Sequence, residues 1–143
     1  MEKLLISACL LGVSCRYDGK SKPLPEAEKL LEKYELIPVC AEIMGGLPTP
    51  RVPAEISEGK VITKDGRDVT EEYLRGAKEV LRLAEIFGCK KALLKEKSPS
   101  CGSGFIHNGK FDGGLTEGFG KTAGLLLENG IEVFGESQID VLM

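Results

Sequence analysis

The chain has 143 residues, enough for one domain with an ordinary hydrophobic core. Charged residues make up 29% and the net charge is −3, a balance that excludes a broad phosphate-tracking surface, so no large nucleic acid is expected as partner. No run approaches the roughly 20 apolar residues of a membrane span, and Leu4-Leu5-Ile6 is too short for a secretory core ahead of Ser7-Ala8-Cys9; no membrane contact is expected, and the expected compartment is cytoplasmic, with the five cysteines reduced.

Residues 3–8 read as a first strand, apolar in the manner of a parallel sheet buried on both faces. A loop follows from Cys9 to Gly19, turning at Asp18-Gly19. Leu24 to Tyr34 is a predicted helix: Pro25 sits in its first turn, and Leu24, Ala27, Leu30, Leu31 and Tyr34 share one face. A second strand covers 35–40. Residues 41–53 are too rich in Gly and Pro for a regular element and read as a long, ordered loop. Lys60 to Thr63 begins a small hairpin turning at Asp65-Gly66. Asp68 to Phe87 is the longest helix, opened by an Asp68/Glu71 capping box and stopped by Gly88. Tyr73 belongs to its core stripe. A third strand lies at 90–95, and a second hairpin turns at Asn108-Gly109 between Phe105-Ile106 and Lys110-Phe111. Thr116 caps a last helix running to Glu128, and Ile131 to Phe134 is the fourth strand. This alternation predicts an α/β, small Rossmann-like three-layer fold: a four-stranded, mostly parallel sheet with helices on both faces, plus small β-hairpins, in a single domain 1–143.

In such folds ligands bind beyond the carboxyl ends of the strands. Cys9 and Cys40 each end an apolar run, and Cys101 lies in the Ser98-Pro99-Ser100-Cys101-Gly102 loop after the third. Three thiols delivered to one edge suggest a shared soft-metal site, suited to iron–sulfur, zinc or copper(I). No close C-x2-C pair of the zinc-knuckle kind exists, so the site would be made by the fold. The competing reading treats each cysteine as a small buried hydrophobe. It is kept for Cys89, which directly follows the helix-stopping Gly88. Cys15 is either a fourth ligand or packed beneath its loop, and packing is favoured because Val13 and Tyr17 share its parity. Six residues between Cys9 and Arg16 rule out a tyrosine-phosphatase loop, which needs five.

Glu42, two residues past Cys40, either moves protons beside a metal or is a solvated surface carboxylate. Ser98 and Ser100 either shape the turn around Pro99 or donate hydrogen bonds to a substrate. Arg51, on a proline-stiffened loop, either binds an anionic or carbonyl group or pairs with Glu55. Asp18 forms the turn and is a candidate pocket wall; His107, at a hairpin tip, reads as surface.

Ser7-Ala8-Cys9-Leu10-Leu11-Gly12 with Arg16-Tyr17-Asp18-Gly19, Pro38-Val39-Cys40-Ala41-Glu42 with Gly45 to Arg51, and Ser98 to Gly102 together resemble the DUF523 family, which includes the 2-thiouracil desulfurases. The resemblance spans nearly the whole chain and departs from the usual pattern at Ala41, where the family often has Pro. It implies an oxygen-sensitive 4Fe-4S cluster on Cys9, Cys40 and Cys101, lost in aerobic preparations, with one iron open to the thiocarbonyl sulfur of a small thiolated base or nucleoside. It further implies hydrolytic, non-redox desulfuration to uracil and hydrosulfide, with Glu42 as acid/base and Ser98 as a catalytic serine. Ser100, Arg51 and Asp18 are the expected substrate-binding residues. Four protein thiolates would close the cluster and leave an electron carrier, so a Cys15 ligand would weaken this reading. Two other functions stay open: a non-catalytic iron–sulfur or zinc module, which needs no Glu42, and a metal-dependent hydrolase or lyase of another small substrate.

Overall fold

Leu4, Leu5 and Ile6 are all fully buried, which only a strand covered on both faces achieves. In the computed structural model, which describes Met1–Met143, they belong to β1 (Glu2–Ser7), an inner strand of a four-stranded parallel sheet. Its neighbours are β2 (Tyr34–Val39) and β5 (Lys91–Leu94), and β8 (Glu132–Gly135) lies outside β5, giving the order β2-β1-β5-β8. Alternate residues divide the core. Leu4, Ile6 and Leu93 face a layer of 3-10 helices at Ala8–Leu11, Pro25–Glu32 and Glu136–Val141. Leu5, Ala92 and Leu94 face α2 (Thr70–Phe87) and α3 (Lys121–Glu128). The three-layer expectation therefore holds, with one helical layer wound as 3-10. No helix is long and apolar enough to cross a membrane.

The 3-10 winding of residues 25–32 corrects the predicted helix over 24–34, and the apolar spacing explains it. Leu24, Ala27 and Leu30 recur every three residues, the 3-10 repeat, while Leu31 is exposed and Tyr34 opens β2. Residues 41–53 contain a short helix, α1 (Ala41–Met44), where a loop was expected. The first hairpin joins β3 (Ala54–Ser57) and β4 (Lys60–Thr63) through Glu58-Gly59, both left-handed (φ 51° and 79°). This two-residue turn is hidden in the sequence because Glu rarely adopts that conformation. Asp65-Gly66 makes the expected hairpin turn as well: beyond it the Thr63 N–H donates to the Arg67 carbonyl and Asp68 bridges Ile62 antiparallel before α2 begins. There Asp68 Oδ1 accepts hydrogen bonds from the Thr70 N–H (2.9 Å) and hydroxyl (2.6 Å), in place of the expected capping box with Glu71. The second hairpin is longer than expected: β6 (Ser103–His107) pairs with β7 (Leu115–Phe119), which absorbs Thr116, so α3 begins only at Lys121.

From β1 the chain goes outward to β2, then returns across β1 to β5 through α2. The carboxyl ends of β1 and β5 therefore flank the point where the winding reverses, where a crevice opens in such sheets. Both hairpins are inserted on that side.

Candidate active site

Each of the three predicted thiols is delivered by a different strand end. β1 runs directly into the 3-10 turn that carries Cys9. Cys40 follows β2 as the N-cap of α1, which places Glu42 in the first turn of that helix. Cys101 sits in the loop after β5, held by Ser98: the Ser98 Oγ accepts the N–H groups of Cys101 (2.7 Å) and Ser100 (3.2 Å). The same loop is clamped from below, because the first N–H groups of α3, on Lys121, Thr122 and Ala123, donate to the carbonyls of Pro99 and Ser100.

The strand ends meet at one cavity of about 360 Å³, which Cys9, Cys40, Cys101, Glu42 and Ser98 all line. Ser7, the last residue of β1, joins two of the segments: its hydroxyl donates to Cys101 Sγ (3.5 Å) and accepts the Lys95 N–H (2.9 Å). The groups also sense each other electrically. Burial pushes the Cys9 thiol up to about 12, and the neighbouring Cys15 thiol and Glu42 carboxylate add to the effect. Cys101 is raised first by burial and next by Glu42, and so is Cys40. Three thiols in one poorly solvated cavity stay protonated until a cationic group such as a metal centre stabilises their thiolates.

Cys15 also lines this cavity, and burial raises its thiol to about 12. The Cys40 thiol donates to the Cys15 carbonyl oxygen at 3.7 Å. Cys15 is buried in the core cluster beneath the loop, and its thiol also neighbours those of Cys9 and Cys40. Cys89 packs between α2 and the sheet and does not line the cavity.

The expected substrate-binding residues stand one step back. Arg51 is buried and forms an ion pair with Glu42 (3.2 Å), not with Glu55; it also donates to Thr49 Oγ1 (2.9 Å) and to the Cys15 and Pro48 carbonyls (3.2 Å each). Ser100 is fully buried with its hydroxyl against Thr122 Oγ1 (2.8 Å). Asp18 accepts the Lys20 N–H and pairs with Arg16 at 3.6 Å. None of the three lines the cavity, whereas Arg16 and Tyr17 do.

Several lining residues escaped the sequence reading. Tyr73 was visible only as part of the α2 core stripe, and it serves both roles. Lys95 lines the cavity while its ammonium pairs with Glu136 at 2.7 Å. The β3–β4 and β6–β7 hairpins add Ala54, Glu55, His107 and Phe111. His107 thus belongs to the cavity wall and not to an open tip, because β6 extends to it and the turn lies beyond.

The donor set bears on what the cavity holds. No three of the chain's His, Cys, Asp and Glu side chains converge as they would around one metal ion. Thiols spread around a cavity of this size suit a larger thiolate-bound group, such as an iron–sulfur cluster, better than a single zinc ion.

The family model for 2-thiouracil desulfurase matches residues 4–138. The uncharacterized protein YbbK of Bacillus subtilis (strain 168) is 40% identical over 150 residues, covering 98% of this chain and 99% of its own. Among solved structures, a [4Fe-4S]-dependent thiouracil desulfidase, TudS, superposes with a TM-score of 0.94 at 49% identity, covering 99% of this chain and 95% of that one.

Proposed function

The chain belongs to the 2-thiouracil desulfurase family, and we propose that it is a [4Fe-4S]-dependent enzyme that hydrolyses the thiocarbonyl of a 2-thiouracil-like pyrimidine to uracil and hydrosulfide. The observation that carries this reading is the convergence of Cys9, Cys40 and Cys101, from three strand-end loops, on one cavity with Glu42. These three thiolates would hold the cluster. When bound, it supplies an iron without a protein ligand, a Lewis acid for the thiocarbonyl sulfur.

The chain's own residues supply the rest. Hydrolysis replaces C=S by C=O: water adds to the ring carbon, its protons are taken up, and sulfur leaves as hydrosulfide with no net redox change. Glu42 is the group placed to take and return protons, and its carboxylate orientation is set by the Arg51 guanidinium at 3.2 Å. The Ser98 oxygen already accepts two backbone N–H groups, so its own hydrogen is left to donate into the cavity, to the base or to the incoming water. Arg51, Asp18 and Ser100 serve substrate binding through the groups they hold: Glu42, Arg16 and the Ser98 loop respectively.

The test is anaerobic reconstitution with iron and sulfide, followed by an iron count, a visible spectrum and assay of sulfide release from 2-thiouracil. About four iron per chain and sulfide release are expected. Cys101→Ser should lose the iron, and Glu42→Gln should keep it while losing turnover. Full iron in Cys101→Ser, or unchanged turnover in Glu42→Gln, would overturn the respective assignment.

A further inference from the structure

The thiol side of the cavity is accounted for by the proposed chemistry, but the wall built by the two hairpins is not. Its polar groups can be sorted by whether they are already engaged. Glu55 Oε1 accepts the N–H groups of Gly109 (2.9 Å) and Phe111 (3.2 Å), tying the β6–β7 connection to β3. His107 differs: its Nδ1 is buried and has no hydrogen-bond partner, the one such side-chain nitrogen or oxygen in the molecule. Buried polar atoms are nearly always partnered, and leaving one unpaired costs roughly 1–3 kcal/mol.

The main chain of His107 is held at two points. His107 N–H donates to the Lys97 carbonyl at 3.2 Å, and the residue pairs with Leu115 across the hairpin. The side chain lines the cavity, and its other ring nitrogen, Nε2, also has no partner in the protein but is not sealed off, so it is the atom a ligand in the cavity can reach. A pyrimidine that directs its thiocarbonyl toward the thiols still has a ring edge carrying N–H and C=O groups to satisfy, and a neutral imidazole can accept from one or donate to the other.

We propose that His107 is a specificity-determining residue that hydrogen-bonds the edge of the pyrimidine ring not carrying the reacting sulfur. This rests on the reading of the cavity as a thiopyrimidine site. His107 contributes to binding, and chemistry stays with Glu42 and Ser98.

The chain contains one histidine, so a 1H–15N spectrum of the imidazole region reports this ring alone. Titration of the 15N-labelled protein with uracil or 2-thiouracil should move the ring nitrogen resonances with saturation. In steady-state assays His107→Leu should raise KM about tenfold, the worth of one hydrogen bond, with kcat within about twofold. His107→Gln, which places an amide near the Nε2 position, should recover much of the loss. Ring resonances that ignore both ligands, or a KM unchanged in a folded His107→Leu protein that still releases sulfide, would overturn the proposal and leave the desulfurase reading standing. Ring resonances that respond to uracil in a reconstituted protein that releases no sulfide would uphold this inference and overturn the desulfurase reading.

Discussion

Gly76→Ala is the substitution that most directly tests how the fold sets the site. Gly76 lies inside α2, where alanine would ordinarily stabilise by about 0.5–1 kcal/mol through helix propensity. A Cβ at Gly76, however, would overlap the Ala41 carbonyl oxygen and approach its carbon to 2.8 Å and Gly45 N to 3.3 Å. The reverse holds at Gly45, whose Cβ would strike the Glu72 carbonyl. α1 and α2 therefore touch backbone to backbone, and α1 carries Glu42 with Cys40 as its N-cap. Relieving the overlap means moving α1 outward by roughly 1 Å, with overpacking costs of about 1–3 kcal/mol that outweigh the propensity gain. A 1 Å displacement of catalytic groups costs on the order of 100-fold in rate. Gly124→Ala is the control, since its Cβ in α3 would meet only Phe119 Cβ at an ordinary 3.7 Å. Thermal melts of the metal-free proteins should show Gly124→Ala up by roughly 2–4 °C and Gly76→Ala down by a similar amount. After reconstitution, Gly76→Ala should bind less iron and lose most sulfide release, and Gly124→Ala should keep both. A Gly76→Ala protein that melts higher and turns over normally would refute the reasoning.

Cys15→Ser and Cys89→Ser should each retain the iron count and the visible band of the parent, because one packs beneath the cavity loop and the other lies between α2 and the sheet; loss of iron in Cys15→Ser would make it a ligand and close the cluster. Arg51→Lys should keep iron but reduce turnover at least tenfold and shift the pH–rate profile, since an ammonium cannot hold Glu42, Thr49 and two carbonyls at once. The Asp112 carboxyl is held below its ordinary value of 3.8 first by the Gly114 N–H and then by Asn108. Its folded-state value is depressed, so its contribution to stability is present above about pH 4 and lost as pH falls through the folded value. Urea midpoints between pH 5 and pH 2 should therefore fall less steeply for Asp112→Asn than for the parent.

The sheet was legible because its signals are local. Leu4-Leu5-Ile6 and Ala92-Leu93-Leu94 are uninterrupted apolar runs, and parallel strands buried on both faces leave such runs in the sequence. The cysteines were legible for a related reason, since strand ends in this topology converge whatever lies between them. The elements misjudged were those whose conformation depends on contacts made elsewhere. Ala41–Met44 winds into a helix because Gly45 and Gly76 let it rest on α2, a contact no local pattern announces. Thr116 resembles a helix cap in isolation but pairs with Ile106 in β7. His107 was read as surface because Asn108-Gly109 looks like a two-residue hairpin turn, whereas residues 108–114 make a longer connection fastened by Glu55.

Arg51 shows why the site is assembled from distant pieces. In sequence it looks like an anion receptor on a stiff loop, yet its guanidinium faces inward and joins the Cys9–Gly19 loop, the Pro48-Thr49 segment and Glu42. A buried ion pair of this kind is poor evidence of net stabilisation, because desolvating two charges cancels much of their attraction. Its value lies in orientation: the guanidinium is itself fixed by Thr49 and the Cys15 and Pro48 carbonyls, so Glu42 cannot turn without losing a buried counter-charge that will not follow it. The Cys15 carbonyl that Arg51 holds is also the acceptor of the Cys40 thiol, so one guanidinium braces the acid/base candidate and a neighbour of one thiol together. A local knuckle of cysteines could not offer this coupling. Spreading the thiols over three strand ends leaves one side of the cavity to the thiols and another to the hairpins, which is what a site needs if it must bind a cluster and a substrate at the same time.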